Sequence, residues 1–170
     1  MVKKIVGTGV LLVLALALQA GVKMYTLKSP DGKVKLEVTA GQGIAYSLFY
    51  DGRLLLKPSR IALHPDLPEA DHWENIRITG TKQRHVSETV QAPFYRVKEF
   101  GIDCNELELR LNNGFSLLMR AYNDGMAYRF VAGRKGEMTV VEERAEFNFA
   151  DDFEAYIPYS TNPKDPWNMA

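Results

Sequence analysis

Twenty-one Asp and Glu residues give this chain ample material for acid–base work, so closeness in sequence is weak evidence that any two of them cooperate. Glu142-Glu143 reads as a strand pair whose side chains point to opposite faces, and Asp151-Asp152 as a turn. Both pairs are expected to be solvated. Glu106 and Asp124 are accounted for by strand-end hydrogen bonding and turn formation. Cys104 is the single cysteine, which rules out an intramolecular disulfide, and it is expected to be buried and inert. His64, His72 and His85 show no ligand spacing beside one Cys, so a Cys/His metal centre is excluded by count, and each is expected as a solvated loop residue.

The elements that must position these groups read as strands throughout. Val34, Leu36 and Val38 alternate with Lys33, Lys35 and Glu37, giving one buried and one wet face after the turn Ser29-Pro30-Asp31-Gly32. Ile44, Tyr46, Leu48 and Tyr50 alternate next, and Asp51-Gly52 turns the chain into a strand from Arg53 to Leu56. From Lys57 to Asn75 the period dissolves around Pro58, Pro65 and Pro68, with Asp66, Glu69, Asp71 and His72 among them; this predicts a long loop, either functional or a plain surface excursion. Ile76 to Ile78 and Val86 to Val90 resume strand character, and Gln91 to Lys98 reads as an irregular crossing or edge around Pro93.

The clearest segment is Asn105 to Phe130. Leu107, Leu109 and Leu111 lead to a two-residue loop at Asn113-Gly114, Phe115 to Tyr122 follows, and Asn123-Asp124-Gly125 turns into Met126 to Val131. These residues predict an antiparallel meander whose turns use positive φ. Val140 to Phe149 and Phe153 to Ile157 are the last expected strands. Pro158 to Ala170 has no hydrophobic period, and Pro163 and Pro166 cannot pair in a ladder, so it reads as an arm. About ten short strands at this spacing predict two packed antiparallel sheets, an all-β sandwich over residues 21–157.

Length and composition fit one domain with a core of its own, at 46% hydrophobic and 25% charged residues. Lys plus Arg balances Asp plus Glu, so no basic field gathers phosphate and nucleic acid is an improbable partner. Lys3 and Lys4 precede an apolar run from Ile5 to Leu18, too short for a membrane span and followed by small residues. This predicts a secretory signal peptide over residues 1–20, cleaved after Ala20, and a periplasmic or secreted product. An uncleaved anchor is the rival, and no cysteine stands near the cut to carry a lipid.

Ser29-Pro30-Asp31-Gly32-Lys33, Tyr50-Asp51-Gly52, Lys57-Pro58-Ser59, Asn105-Glu106-Leu107 and the run from Arg120 to Phe130, with Ile157-Pro158 beyond, resemble the N-terminal domain of glycoside hydrolase family 97, bacterial α-glucosidases and α-galactosidases. The resemblance implies a galactose mutarotase-like β super-sandwich that packs against a catalytic (β/α)₈ barrel. It implies an accessory part of a secreted enzyme acting on α-linked oligosaccharides, with the catalytic carboxylates outside this segment. It also implies calcium in the full-length enzyme, for which Asp165 is near the expected position of a ligand. Beside Asp165, the rings of Tyr156, Tyr159 and Trp167 suit stacking on a sugar or, better, packing on a neighbouring domain, and are expected to be poorly covered in an isolated chain. A stand-alone periplasmic carbohydrate-binding module and an adhesive sandwich without a sugar ligand are the alternatives.

Overall fold

A computed structural model describes residues 23–67, 71–92, 97–154 and 156, and these form strands without a helix. They are β1 (Met24–Lys28), β2 (Val34–Gly41), β3 (Gly43–Tyr50), β4 (Arg53–Pro65), β5 (Ile78–Gln91), β6 (Glu99–Leu111), β7 (Phe115–Tyr122), β8 (Gly125–Ala132) and β9 (Val140–Ala145). Two antiparallel sheets result, one ordered β1-β2-β3-β4-β9 and the other β5-β6-β7-β8. The chain completes four strands of the first sheet, crosses to build the whole second sheet, and returns to place β9 beside β4. This is the expected β-sandwich.

Alternation dictates which side chains meet. Val34, Leu36 and Val38 on β2, Ile44 and Tyr46 on β3, and Leu107, Leu109, Leu117 and Met119 on β6 and β7 are buried between the sheets. Burying each such side chain is worth about 1.5–3 kcal/mol, so the meander and the first hairpins supply most of the core. Tyr46 and Tyr128 meet across the layers with ring centroids 6.1 Å apart. Burial, then the neighbouring Tyr128, pushes the Tyr46 phenol up to about 12.

The turns follow their chemistry with two amendments. Asp51 and Gly52 take φ of 48° and 80° and close the β3–β4 hairpin as a two-residue loop. The β6–β7 connection, by contrast, uses Asn112, Asn113 and Gly114, with only Gly114 at positive φ (86°), so it is a three-residue loop rather than the expected two. At the β7–β8 turn Tyr122 pairs with Gly125 around Asn123-Asp124, and none of these residues takes positive φ. Asn123 instead uses its side-chain oxygen to accept the Asp31 N–H at 3.0 Å, tying this turn to the first one. In that first turn Ser29 donates to Asp31, and this bond, with the Lys33 N–H, holds the Asp31 carboxyl below its usual range.

The expected loop from Lys57 to Asn75 is the main correction. β4 continues unbroken to Pro65 because the two prolines sit where the ladder asks nothing of them. Register shifts separate the Ser59–Tyr46 and Leu56–Leu48 pairs, leaving Pro58 in a bulge, and a further shift precedes Pro65 at the strand end. Trp73, in the remaining loop, is a core residue. Its ring packs on Phe130 and Phe115 at centroid distances of 5.2 and 6.0 Å, and its N–H donates to the Leu63 carbonyl at 2.8 Å. Of the expected strand at Ile76 to Ile78 only Ile78 is in a strand, and it begins the single long β5 that also holds Val86 to Val90. At the other end, Phe153 and Glu154 are not in a strand, although Phe149 makes an isolated bridge to Leu56.

Candidate functional site

Three places gather side chains that could act on a ligand. The first is a cleft of about 560 Å³ lined by Gln42, Arg60, His64, Trp73, Asn75 and Arg144, among others. β4 and β9 place it: Arg60, Ala62 and His64 of β4 share its wall with Arg144 of β9, which pairs across from Ala62. His64 meets Asp71 at 2.6 Å at the cleft, and the ring stands edge-on to Trp73. Glu146 accepts from the Arg60 N–H at 3.1 Å, from Arg144 Nε at 2.8 Å and from Asn148 Nδ2 at 3.3 Å. The Arg60 N–H bond, then the Arg144 and Asn148 side-chain bonds, hold its carboxyl below the usual range. Amide and guanidinium donors on a concave wall suit hydroxyl-rich ligands by hydrogen bonding.

The second is an ion cluster on the outer face of the β5–β8 sheet. Glu106 stands in the middle of β6, only 4% exposed, with Arg84 across from it on β5 and Arg120 on β7. Arg84 Nε donates to one carboxylate oxygen at 2.7 Å and Arg120 Nε to the other at 2.8 Å. Burial alone would raise the Glu106 carboxyl, but the two guanidiniums outweigh it and the carboxyl is held low; Arg120 is raised in return, chiefly through its Glu106 bond. Glu106 is therefore a mid-strand ion-pair partner rather than a strand-end acceptor. Cys104, on the same face two residues earlier, is buried as expected, though within β6 rather than ahead of it, and burial pushes its thiol up.

The third is the approach to the C-terminus. Tyr156 is 87% exposed and its hydroxyl donates to Glu154 at 2.9 Å, in keeping with an uncovered ring. Tyr159, Asp165 and Trp167 lie outside the described residues.

Other expected acids are placed plainly. Glu142 pairs with His64, while Glu143, across from Leu63, takes a hydrogen bond from Tyr128, so the two do face opposite ways. Asp151 pairs with Arg53 at 3.2 Å on the surface. His64 and His85 are strand residues rather than loop residues, and His85 sits 3.0 Å from Asp103. A general acid for bond hydrolysis needs a carboxyl held above its ordinary range. Among the described residues, Asp31, Glu106 and Glu146 are held below it by their hydrogen bonds and ion pairs. Among the described residues no group of three or more His, Cys, Asp or Glu could hold a metal ion such as calcium.

Sequence reasoning missed the Glu106 cluster and Trp73. The first had a signal: Arg84, Glu106 and Arg120 are outward positions of neighbouring strands once the register is known. Trp73 had none, because it packs from a loop.

Comparison with known proteins agrees with this architecture. The model of the glycosyl-hydrolase 97 N-terminal family matches residues 27–168. The chain is 40% identical over 151 residues to a retaining alpha-galactosidase of Bacteroides thetaiotaomicron, covering 88% of this chain and 22% of that protein. It is 26% identical over 132 residues to a probable retaining alpha-galactosidase of Streptomyces bingchenggensis, covering 75% and 20%. It thus spans about a fifth of the length of the curated relatives it matches. Among solved structures, a beta-arabinopyranosidase superposes with a TM-score of 0.65 at 25% identity, over 74% of this chain and 21% of that one. A glycoside hydrolase family 97 enzyme of Pseudoalteromonas sp. strain K8 in complex with panose gives 0.62 at 19% identity, over 75% and 20%, and shows the shared fold. With matching sequence over most of its length and the same two-sheet sandwich, this chain belongs to the glycosyl-hydrolase 97 N-terminal family.

Proposed function

We propose that this chain is the accessory sandwich of a secreted family 97 α-glycosidase, inactive by itself, which packs against a catalytic (β/α)₈ barrel acting on α-linked oligosaccharides. The observation that carries it is the family match over residues 27–168 at about a fifth of the relatives' length. α-Galactosides are the favoured substrate class, because both curated relatives are named as retaining α-galactosidases. Export rests on Lys3, Lys4 and the apolar run to Leu18, and calcium would belong to the complete enzyme, with Asp165 as the acid nearest to it in this chain.

The purified chain is expected to leave p-nitrophenyl α-galactoside and α-glucoside intact. Turnover that follows the chain through purification and vanishes on its immunodepletion would overturn the proposal. Export is checked separately by N-terminal sequencing of the mature product, which should begin at Gly21. A second reading, a stand-alone carbohydrate-binding module, is favoured by the donor-lined cleft at Arg60 and Asn75. Calorimetric titration with melibiose and maltose tests it, and an absence of heat would remove it.

A further inference from the structure

Two side chains of the β6–β7 loop hold the Trp73 segment in place. Asn112 Oδ1 accepts the Arg77 N–H at 2.8 Å, the Asn112 N–H donates to the Arg77 carbonyl at 3.1 Å, and Asn112 Nδ2 reaches the Asn75 carbonyl at 3.5 Å. Asn113, which is buried, donates through Nδ2 to the His72 carbonyl at 3.5 Å. Between those anchors stands Trp73, whose ring packs on Phe115, the first residue of β7. The seal on the core at β4 therefore hangs in part from one hairpin loop.

Asn113 is also the one asparagine of this chain that precedes a glycine. That order matters chemically. The backbone nitrogen of the following residue can attack the side-chain amide carbon, and a glycine there has no Cβ to block the approach. The local geometry prepares the attack: Asn113 Oδ1 accepts the Phe115 N–H at 3.3 Å, and the ring closed by that bond contains both Cγ of Asn113 and the nitrogen of Gly114. The side chain is thus folded back over its attacker, with its carbonyl polarised by a donor. Gly114 is exposed, and its N–H meets no acceptor among the described residues. The Asp-Gly steps at Asp31, Asp51 and Asp124 present carboxylates instead, which a nitrogen nucleophile attacks poorly, and every other asparagine precedes a residue with a side chain.

We propose that Asn113 is a site of spontaneous deamidation and that its conversion releases the Trp73 segment. The Gly114 nitrogen, losing its proton to hydroxide, bonds to Asn113 Cγ; the Cγ–Nδ2 bond breaks and Nδ2 leaves as ammonia. Water then opens the five-membered imide at either carbonyl, giving aspartate or isoaspartate, so the net reaction turns an amide and a water into a carboxylate and ammonium. Either product removes the donor to the His72 carbonyl and sets a negative oxygen against it. Isoaspartate also adds a main-chain carbon to a three-residue loop whose length fixes the hairpin.

Storage of the purified chain at mildly alkaline pH in heavy-oxygen water tests the site, since each conversion then carries one labelled carboxyl oxygen that peptide mapping by mass spectrometry locates. Labelled aspartate and isoaspartate should accumulate at position 113 about tenfold faster than at any other asparagine, a barrier lower by about 1.4 kcal/mol. The same chain unfolded in urea is the reference for the bare dipeptide, and the folded rate should lie within about tenfold of it. Asn113 still intact in the folded chain once the unfolded chain has converted, or earlier conversion elsewhere, overturns the site. Release is read by hydrogen exchange on Asn113→Asp. The Ile76 amide, which donates to the Gly41 carbonyl at 2.7 Å, should exchange about tenfold faster than in the parent chain, with the amides of β7 beyond Phe115 unchanged. Equal Ile76 exchange overturns the release. Should N113D fail to fold, the aged parent chain decides instead: each conversion adds one negative charge, so the product separates on anion exchange, and a product that exchanges like the parent refutes the release.

Discussion

Leu117 and Phe149 both lie on the inner faces of their sheets, yet one is wholly buried and the other more than half exposed. Leu117 has β6 and β8 on either side and β2 opposite its strand; Phe149 bridges Leu56 of β4 and meets only the ring of Phe153, at 6.2 Å, among the described aromatic rings. The difference teaches that a strand's own alternation decides which face is apolar, while the layer opposite decides whether that face becomes a core. One half of this molecule is a closed sandwich. The other is an open one, and function is read from the open half.

Substitutions should separate the two halves sharply. Trp73→Ala removes the ring that seals the β4 end and should cost about 3–5 kcal/mol, seen as a large drop in the chemical-denaturation midpoint. Glu106→Gln should come next at about 3 kcal/mol, since it strips the buried partner from Arg84 and Arg120. The same carboxylate sets an acid limb. Its folded pKa lies below the unfolded value, so its contribution is complete above the ordinary carboxylate range and is lost as pH falls through the folded value. Thermal stability should therefore fall below about pH 4, and less steeply in E106Q than in the parent chain. Phe149→Ser should be the mildest, within about 0.5 kcal/mol, because its ring is already wet. A cost comparable to that of Trp73→Ala would erase the distinction between the halves.

Much of the closed half is legible in the sequence. Period-two alternation at Val34–Val38, Ile44–Tyr50 and Leu107–Leu111 marks the core face, and Asp51-Gly52 fixes its hairpin through backbone chemistry alone. Pro58 and Pro65 mislead because a bulge and a strand end excuse a proline from the ladder, which only the register of β3 and β9 reveals. Glu106 reads as an ordinary strand acid until β5 and β7 bring Arg84 and Arg120 beside it from 22 and 14 residues away. The exposure of Ala145 and Phe149 is illegible for the same reason: it takes the sheet order to show that β9 lies at the edge of its sheet. The family resemblance carried by Arg120 to Phe130 falls on the β7–β8 hairpin, and the family match covers that run.

Native-state hydrogen exchange on the purified chain tests this division most directly. Amides of β6 and β7 between Leu107 and Ala121 should exchange only by global unfolding, while those of β9 from Val140 to Ala145 should exchange roughly 100-fold faster through local opening. Protection of β9 equal to that of β7 would contradict it, because an uncovered edge cannot hold its amides as firmly as a strand sealed on every side.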